Sequence, residues 1–381
     1  MTNASAKRAH PLSRPQNVSE QATDGSRMEF ILQTVSRLKA GVSQASVSIA
    51  ESYFRHWPDV LVHADHVPVF MLHRFATPDG RIAGHDPNML RSAFAFLREH
   101  SFVALSLDEL CERSVAGTVP PRAVCFTVDD GYAEQGTVGA ELFLEHDCPV
   151  TFFLATGLTD GSFWPLEAKV AYLLGKLERT TELNVAGTTR RLDPSDRRGM
   201  TIARRAFVSE LKHMPIAFAI ERLDAVALEL NMEIPSSPPE KFAPLTWAEA
   251  RRLESRGVRF GAHTVRHVTL SREGDHTALA ELEQCTARVR SELTNPSNVF
   301  CYPTGRSGDY GVREKQYVQQ LGYSAAVSAE ADYVVVPKVA QSPYDLQRFS
   351  FPDTLVGFKD IVLQSYRMRE QIRRRFRRGQ P

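Results

Sequence analysis

The sequence predicts an α/β protein built on a parallel sheet. Three observations lead to this class: strand-like segments that are apolar throughout, amphipathic helix-like segments that alternate with them, and a 43% hydrophobic composition over 381 residues that supplies a large core. Apolar strands separated by helices are typical of an α/β barrel or of an open doubly wound sheet. The sequence contains neither a Gly-rich dinucleotide loop nor a P-loop, which excludes the commonest cofactor functions of open sheets.

The alternation of strands and helices begins at VPVFML (67–72). A helix is predicted in NMLRSAFAFLREH, where Leu90, Phe94 and Leu97 share one face, and FVALSLDEL combines a short strand with a capping-box pattern that opens another helix. Later strands are predicted in RAVCFTV, PVTFFLAT, VRFGAH, NVFCYP and YSAAVS, and later helices around GTVGAELFLEHD and at 246–256, 277–293 and 311–321. Strands and helices in this order favour parallel pairing.

The chain divides into five predicted segments. Residues 1–58 form a disordered or helical N-terminal extension, and the alternating pattern fills 59–157 and 244–355. A helix-rich, charged insertion at 158–243 interrupts it. Residues 356–381 form a basic helical tail in which seven arginines oppose one glutamate. A solvated helix is the simpler interpretation of this tail, and weak contact with a membrane surface or an anionic polymer is the alternative.

Charge and cysteine usage limit the possible partners and compartment. Basic and acidic residues number 46 and 45, so the whole chain has no bulk attraction for nucleic acid. Five scattered cysteines with no C-x-x-C pair indicate core residues in a reducing compartment. Residues 1–27 lack the apolar stretch of a signal peptide, and no run approaches the length of a membrane span. These features predict a cytoplasmic protein.

Two adjacent carboxylates, Asp129 and Asp130, end the apolar strand in CFTVDDGY. Like charges this close together resist joint ionisation, so a buried pair needs a metal, a basic partner or a solvated turn. A strand that runs into an ordinary D-G turn is the simplest interpretation. A metal site is the alternative interpretation of this carboxylate pair.

Two histidines favour the metal site. His263 and His267 lie four residues apart just after the predicted strand VRFGAH, and a helical turn there would bring both imidazoles to one face about 6 Å apart. Two imidazoles and one carboxylate leave positions open for water and substrate, as in catalytic sites. Asp129 or Asp130 would supply the carboxylate, because parallel strands end at one edge of the sheet. Zinc is favoured, and cobalt, nickel or iron also fit such a ligand set.

Three motifs together resemble a known family. VDDG at 128–131, H-T-x-x-H at 263–267 and Y-P-x-G at 302–305 are similar, in this order, to motifs of the polysaccharide deacetylases with the NodB homology domain, carbohydrate esterase family 4. The flanking stretches FMLHRF, PVTFFLATG and LGYSAAVS are similar as well, over about residues 68–352 outside the insertion. The resemblance implies a distorted (β/α)7 barrel and metal-dependent hydrolysis of an N-acetyl group on an amino sugar, with release of acetate.

The resemblance also implies a role for each matching residue. Asp130, His263 and His267 would ligate the metal, and Asp129 would be the general base. The backbone N–H of Tyr302 would stabilise the oxyanion of the tetrahedral intermediate, while its side chain would be a barrel-wall aromatic.

Two positions depart from the family pattern. Tyr302 stands where the family often has an arginine that orients the catalytic aspartate; Arg348 is the candidate replacement, and an ordinary surface arginine is the alternative. No histidine follows His276, so the family's usual acid is missing. His73 in VFMLHRF resembles the acid motif of circularly permuted exopolysaccharide deacetylases and is the candidate acid that protonates the leaving amine.

The predicted partner is an N-acetylated saccharide, of which the sequence specifies neither the sugar nor the chain length. Trp164 and Trp247 are interpreted first as core residues and second as platforms for sugar rings. Two alternative functions stay open: a hydrolase of a non-sugar amide with the same site, and a non-catalytic carbohydrate-binding relative. The sequence does not predict the oligomeric state.

Overall fold

The computed structural model describes residues 62–365, together with residues 44, 47, 48, 51, 52 and 367. Almost all of the predicted N-terminal extension and most of the Arg-rich tail therefore lie outside the described residues. None of the helices in the described part of the chain combines the length and apolar character needed to cross a bilayer.

Twelve strands and eleven α-helices lie between residues 62 and 365. The strands are β1 (His66–Val67), β2 (Val69–Leu72), β3 (Val103–Leu105), β4 (Ala123–Asp130), β5 (Thr151–Leu154), β6 (Thr181–Val185), β7 (Thr188–Leu192), β8 (Arg259–Ala262), β9 (Val299–Cys301), β10 (Ala325–Val327), β11 (Val334–Val335) and β12 (Phe349–Ser350). The helices are α1 (Pro87–Glu99), α2 (Leu107–Ala116), α3 (Glu141–Glu145), α4 (Thr156–Thr159), α5 (Leu166–Gly175), α6 (Arg197–Lys212), α7 (Ile216–Glu229), α8 (Trp247–Glu254), α9 (Asp275–Glu292), α10 (Val312–Gln320) and α11 (Leu355–Val362). A π-helix (Gln135–Ala140) leads directly into α3.

Seven parallel strands follow one another around a ring. Strands β12, β2, β4, β5 and β8 form a continuous parallel ladder, and β9 pairs with β10. The ring is closed by fewer contacts between β8 and β9 and between β10 and β12. The Ser297 N–H, just before β9, donates to the Phe260 carbonyl of β8, and Val327 of β10 forms a β-bridge with Leu346, just before β12. The predicted α/β class is confirmed, and the weak closures are the distortion expected of the (β/α)7 barrel.

Local sequence explains the main elements. All eight residues of β4 are buried, as its apolar pattern predicts for a strand covered on both faces. Ser106 caps α2 through the Glu109 N–H, and Thr246 and Glu249 form a capping box on α8. The predicted strand at 67–72 divides into β1 and β2 at Pro68, which has no N–H to donate to a ladder.

The predicted insertion, residues 158–243, contains more than helices. Besides α5, α6 and α7 it holds an antiparallel hairpin, β6–β7, that the sequence does not predict. The turn is Ala186-Gly187, with φ of 53° and 73°. Buried side chains of this segment, such as Phe207 and Leu223, belong to the same core as Phe260 of the barrel. The boundaries of the insertion stay a prediction.

The cysteines and tryptophans lie in the core. All five cysteines are buried and free, as predicted. The Trp164 indole N–H donates to the Pro235 carbonyl at 3.2 Å and the Trp247 indole N–H to the Asp160 carboxylate at 2.6 Å. Both tryptophans are buried, so the structure favours the core interpretation over sugar stacking.

Candidate active site

A cleft of about 800 Å³ opens where the strands of the ring end. Its walls come from the residues that follow β2, β4, β8 and β9, and from α5 and α6 of the insertion. Parallel α/β scaffolds carry their functional residues at this edge because every strand presents a loop there. Every site residue predicted from the sequence lines this cleft: Asp129, Asp130, His73, His263, His267, Tyr302 and Arg348.

A sharp turn separates the two carboxylates at the end of β4. Asp130 and Gly131 have φ of 92° and 95°, a conformation that glycine adopts readily and other residues rarely do. Gln135, which the sequence analysis missed, holds the turn: its amide donates to the carbonyls of Asp129 (2.5 Å) and His73 (2.9 Å) and accepts the Gly131 N–H (3.0 Å). The ends of β2 and β4 are thereby fixed to each other.

Arg348 holds Asp129 in a bidentate ion pair. Its two terminal nitrogens lie 2.8 and 2.9 Å from the Asp129 carboxylate oxygens, and it also donates to the Thr127 hydroxyl and the Ser328 carbonyl. Arg348 is only 1% exposed, so the surface-arginine alternative is wrong. Burial alone raises the pKa of a carboxyl, but the charge of Arg348 and its hydrogen bonds hold the pKa of Asp129 well below its usual range. Asp129 is therefore ionised at neutral pH.

Cys301 completes the surroundings of this pair. Its Sγ lies 3.6 Å from Asp129 Oδ2 and 3.1 Å from Arg348 Nη2. Burial raises the pKa of the Cys301 thiol well above its usual range, so it stays protonated and can donate to the carboxylate. The sequence analysis read this residue only as core.

Asp130, His263 and His267 gather their ligand atoms within 4.8 Å of one another. The Asp130 Oδ1 lies 3.9 Å from His263 Nε2 and 3.5 Å from His267 Nε2, and it is buried without a hydrogen-bond partner. The Nδ1 of His263 lies 2.8 Å from the Cys301 carbonyl, which leaves Nε2 free as a ligand. Burial and the neighbouring His267 lower the pKa of His263 to about 4, so its imidazole is neutral, as metal binding requires.

The segment between the two histidines is a loop, which corrects the helical turn considered for this spacing. Thr264 and His267 have φ of 63° and 56°, outside the helical region. Glu281 of α9 shapes the loop, since its buried carboxylate accepts the N–H groups of Val265 (2.8 Å) and Arg266 (2.9 Å). The histidine rings nonetheless approach to 4.8 Å between centroids. The pairing comes from tertiary contacts and not from helical periodicity.

Glu167 of α5 brings the insertion to the candidate metal-ligand group, which consists of Asp130, His263 and His267. Its Oε1 lies 3.1 Å from His267 Nδ1 and 3.5 Å from Lys212 Nζ. Burial alone lowers the pKa of His267, but the charge of Glu167 raises it above the usual value. Burial likewise opposes ionisation of Glu167, whose pKa Lys212 and His267 nevertheless hold well below its usual range. No local motif marks Glu167, because its partner lies 100 residues away in the sequence.

The backbone N–H of Tyr302 is already engaged. It donates to the Val327 carbonyl at 3.2 Å as part of the β9–β10 pairing, so it is not free for an oxyanion. The Tyr302 ring is buried and stacks on Tyr310 at 4.0 Å, as expected of a barrel-wall aromatic. Thr304, two residues later, lines the cleft, and its N–H makes no hydrogen bond to any residue that the structure describes. Thr304 therefore offers a backbone N–H at the cleft, whereas that of Tyr302 is engaged.

His73 follows β2 and is partly exposed on the wall of the cleft. Its carbonyl accepts a hydrogen bond from Gln135, and its side chain lines the cleft together with Asp129. The neighbouring Arg74 is paired with Glu134 and lies over the Tyr132 ring at 4.1 Å. The position of His73 suits an acid that reaches the reacting group from the side of β2.

Residues 210–326 match the profile of a family described as Polysaccharide deacetylase. The matched segment contains His263, His267 and Tyr302, while Asp129 and Asp130 lie outside it and join the group only in the fold. The resemblance predicted from the motifs is confirmed for this segment. No curated protein is detectably similar to the chain.

Solved structures give three low-identity likenesses. A Streptococcus pyogenes deacetylase, PplD, in complex with acetate is 16% identical, with 76% of this chain and 93% of that chain covered and a TM-score of 0.48. The BpsB deacetylase domain from Bordetella bronchiseptica is 16% identical, with 76% of this chain and 98% of that chain covered and a TM-score of 0.46. IcaB from Ammonifex degensii is 14% identical, with 78% of this chain and 96% of that chain covered and a TM-score of 0.48.

Proposed function

We propose that this chain hydrolyses the N-acetyl group of an amino sugar in a polysaccharide or a saccharide precursor, releasing acetate. The observation that carries the proposal is that two adjacent carboxylates have different partners. Asp130 faces two imidazoles at ligand distance, while Asp129 is paired with Arg348. A hydrolase of this kind needs a metal ligand and a proton acceptor side by side.

The donor set suits a divalent metal ion, with zinc preferred. A buried carboxylate oxygen without a hydrogen-bond partner, beside two imidazole nitrogens, is a fitting set of three ligands for such an ion. When bound, the ion would polarise the acetyl carbonyl and lower the pKa of a coordinated water. Asp130, His263 and His267 would hold it.

The chain's own residues would move the protons. Asp129, kept ionised by Arg348, would take a proton from the attacking water as its oxygen bonds to the acetyl carbon. The Thr304 N–H would donate to the oxyanion in place of the engaged Tyr302 amide. His73 would protonate the nitrogen as the carbon–nitrogen bond breaks. The products are acetate and a free amine.

Replacement of the base tests the proposal. We expect Asp129→Asn to bind zinc as the wild type does but to release acetate from N-acetylglucosamine oligomers about 10²–10⁴-fold more slowly, the usual contribution of a general base. Asp130→Asn is the matched control, because it should lose zinc as well as activity. If a zinc-loaded Asp129→Asn variant released acetate at the wild-type rate, Asp129 would not be the general base.

The same assay separates the two alternative functions. Acetate release from small linear or cyclic amides, but not from saccharides, would indicate a non-sugar amide hydrolase. A protein that binds saccharides but contains no stoichiometric metal and releases no acetate would be a non-catalytic relative. Most of the residues that line the cleft carry a polar or charged side chain, and such groups can hydrogen-bond to the hydroxyl groups of a saccharide.

A further inference from the structure

We infer that the cleft binds a saccharide with a negatively charged group, a phosphate or a carboxylate, and that Arg204, Arg205 and Arg306 form the subsite for this group. The inference rests on the proposed deacetylase function and adds the charge of the substrate to it. It is drawn from the wall of the cleft that the insertion supplies.

Helix α6 presents one polar stripe to the cleft. Arg204, Arg205, Val208, Ser209 and Lys212 all line the cleft, and their spacing of one, four, five and eight residues places them along a single side of a helix. A neighbouring side of the helix carries Ala203, Phe207 and Leu211, which are buried in the core. This packing fixes the orientation of α6 and leaves Arg204 and Arg205 on the side that lines the cleft.

Most charged groups in the cleft already have partners. Arg348 is paired with Asp129, Arg74 with Glu134, and Lys212 with Glu167. Asp130 faces the two imidazoles of the metal-ligand group. Asp309 accepts the backbone N–H of Arg306 at 3.0 Å.

Three guanidinium groups of the cleft are not part of these pairs. Within the part of the chain that the structure describes, Arg204, Arg205 and Arg306 make no ion pair with an acidic side chain, and all three are exposed. The first two come from α6 and the third from the loop after β9, so two distant parts of the sequence bring them to one cleft. Cations concentrated in a cleft attract anions more strongly than the same charges on a flat surface.

The position of the arginines indicates which part of the substrate is charged. Lys212, at the end of α6, lies beside Glu167, which in turn contacts His267 of the metal-ligand group. Arg204 and Arg205 lie seven or eight residues earlier, about 10–12 Å along the helix axis. The anionic group thus belongs to a part of the saccharide beyond the acetylated ring, such as a neighbouring sugar or a phosphate ester.

Matched saccharides test the inference. We would compare acetate release from three substrates of similar length: a neutral N-acetylglucosamine oligomer, an oligomer that alternates N-acetylglucosamine with glucuronic acid, and an oligomer with a phosphate ester. The wild type should favour one anionic substrate by about tenfold or more in kcat/KM, since charge-assisted hydrogen bonds are the strong ones. The favoured substrate shows whether the group is a carboxylate or a phosphate.

Two variants and a matched control locate the subsite. Arg204→Gln/Arg205→Gln and Arg306→Gln should each lower kcat/KM for the anionic substrate by about tenfold, mainly through KM, and leave the neutral substrate within about twofold. Arg197→Gln/Arg198→Gln removes the same charge from exposed positions of the same helix outside the cleft and should change neither. Thermal unfolding verifies that all variants fold.

The inference is overturned if the neutral oligomer is as good a substrate as both anionic ones, if the cleft variants weaken both substrate types equally, or if the control variant has the same effect. Should no substrate release acetate, the proposed reaction fails but calorimetric titration still decides the inference. Tighter binding of an anionic oligomer that only the cleft variants abolish supports the subsite. Equal binding of neutral and anionic oligomers refutes it.

Discussion

Arg348 and Asp129 depend on each other because both are buried. A charge removed from water is tolerated only when its partner and hydrogen bonds replace the lost solvation, and here four residues, Ser328, Thr127, Asp129 and Cys301, accept hydrogen bonds from the guanidinium. Such a pair adds little stability compared with apolar residues of the same size. Its value lies in fixing the orientation and charge of Asp129.

Arg348→Gln should lower the free energy of unfolding by about 3–5 kcal/mol at neutral pH, since it leaves a buried carboxylate without its counter-charge. In the wild type the depressed pKa of Asp129 gives stability that is present above its usual value of 3.8 and is lost as the pH falls through the lower, folded value. In the variant, burial raises the pKa, and stability is lost as the pH rises through it.

The two effects together make the stability difference pH-dependent. The gap between wild type and Arg348→Gln should shrink as the pH falls from 7 toward 4. Urea unfolding of the metal-stripped proteins at several pH values measures it, with Arg197→Gln as the exposed control. A gap that stays constant across this range would show that Asp129 is not the group that Arg348 stabilises.

At the scale of elements, the loop from His263 to His267 depends on a helix that follows it in the sequence. Two of its residues adopt left-handed backbone conformations, and the Glu281 carboxylate accepts two of its N–H groups. Glu281 also binds the Arg266 side chain at 2.6 Å. This buried acid therefore holds the backbone between the two histidines.

Glu281→Gln should weaken zinc binding about 10–100-fold, the usual effect of removing a group that orients metal ligands. The glutamine amide has one acceptor oxygen where Glu281 has two, so it cannot accept all three hydrogen bonds from Val265 and Arg266. The negative charge that pairs with Arg266 is also lost. Competition with a chromogenic chelator measures the affinity. Glu283→Gln, an exposed change of the same kind on the same helix, should leave it unaltered. Equal affinities for both variants would contradict a role of Glu281 in shaping the site.

The elements also show how far local sequence is informative. The strands of the ring other than β12, and helices such as α8, α9 and α10, were predicted within a few residues, because burial on both faces and amphipathic spacing are local signals. The β6–β7 hairpin was not predicted, because its Ala186-Gly187 turn lacks the Asn or Asp that usually marks a tight hairpin. The H-x-x-x-H spacing suggested a helix, whereas a distant carboxylate sets the backbone there.

At the scale of the whole molecule, the ring of strands brings together residues that no local pattern connects. The sequence predicted the metal-ligand group because motifs at strand ends meet at one edge. It could propose Arg348 only as a candidate, since Arg348 follows Asp129 by 219 positions and the two meet only because the ring closes through β12. Glu167, on the insertion, carried no signal at all.

Metal binding should therefore stabilise the whole fold, since the ligands come from β4 and from the loop after β8, with β5 between them. We expect zinc at about 100 times its dissociation constant to raise the free energy of unfolding by about 2.7 kcal/mol, and chelation to reverse this. Thermal unfolding with and without zinc measures the effect.

Asp130→Asn separates metal binding from a general effect of zinc. Asparagine tolerates the φ of 92° at this position and removes a buried charge that has no hydrogen-bond partner on one oxygen. The metal-free variant should thus be at least as stable as the metal-free wild type, yet gain nothing from zinc. If zinc stabilised both proteins equally, the ion would bind elsewhere, and Asp130, His263 and His267 would have to be explained as a buried polar cluster of the barrel.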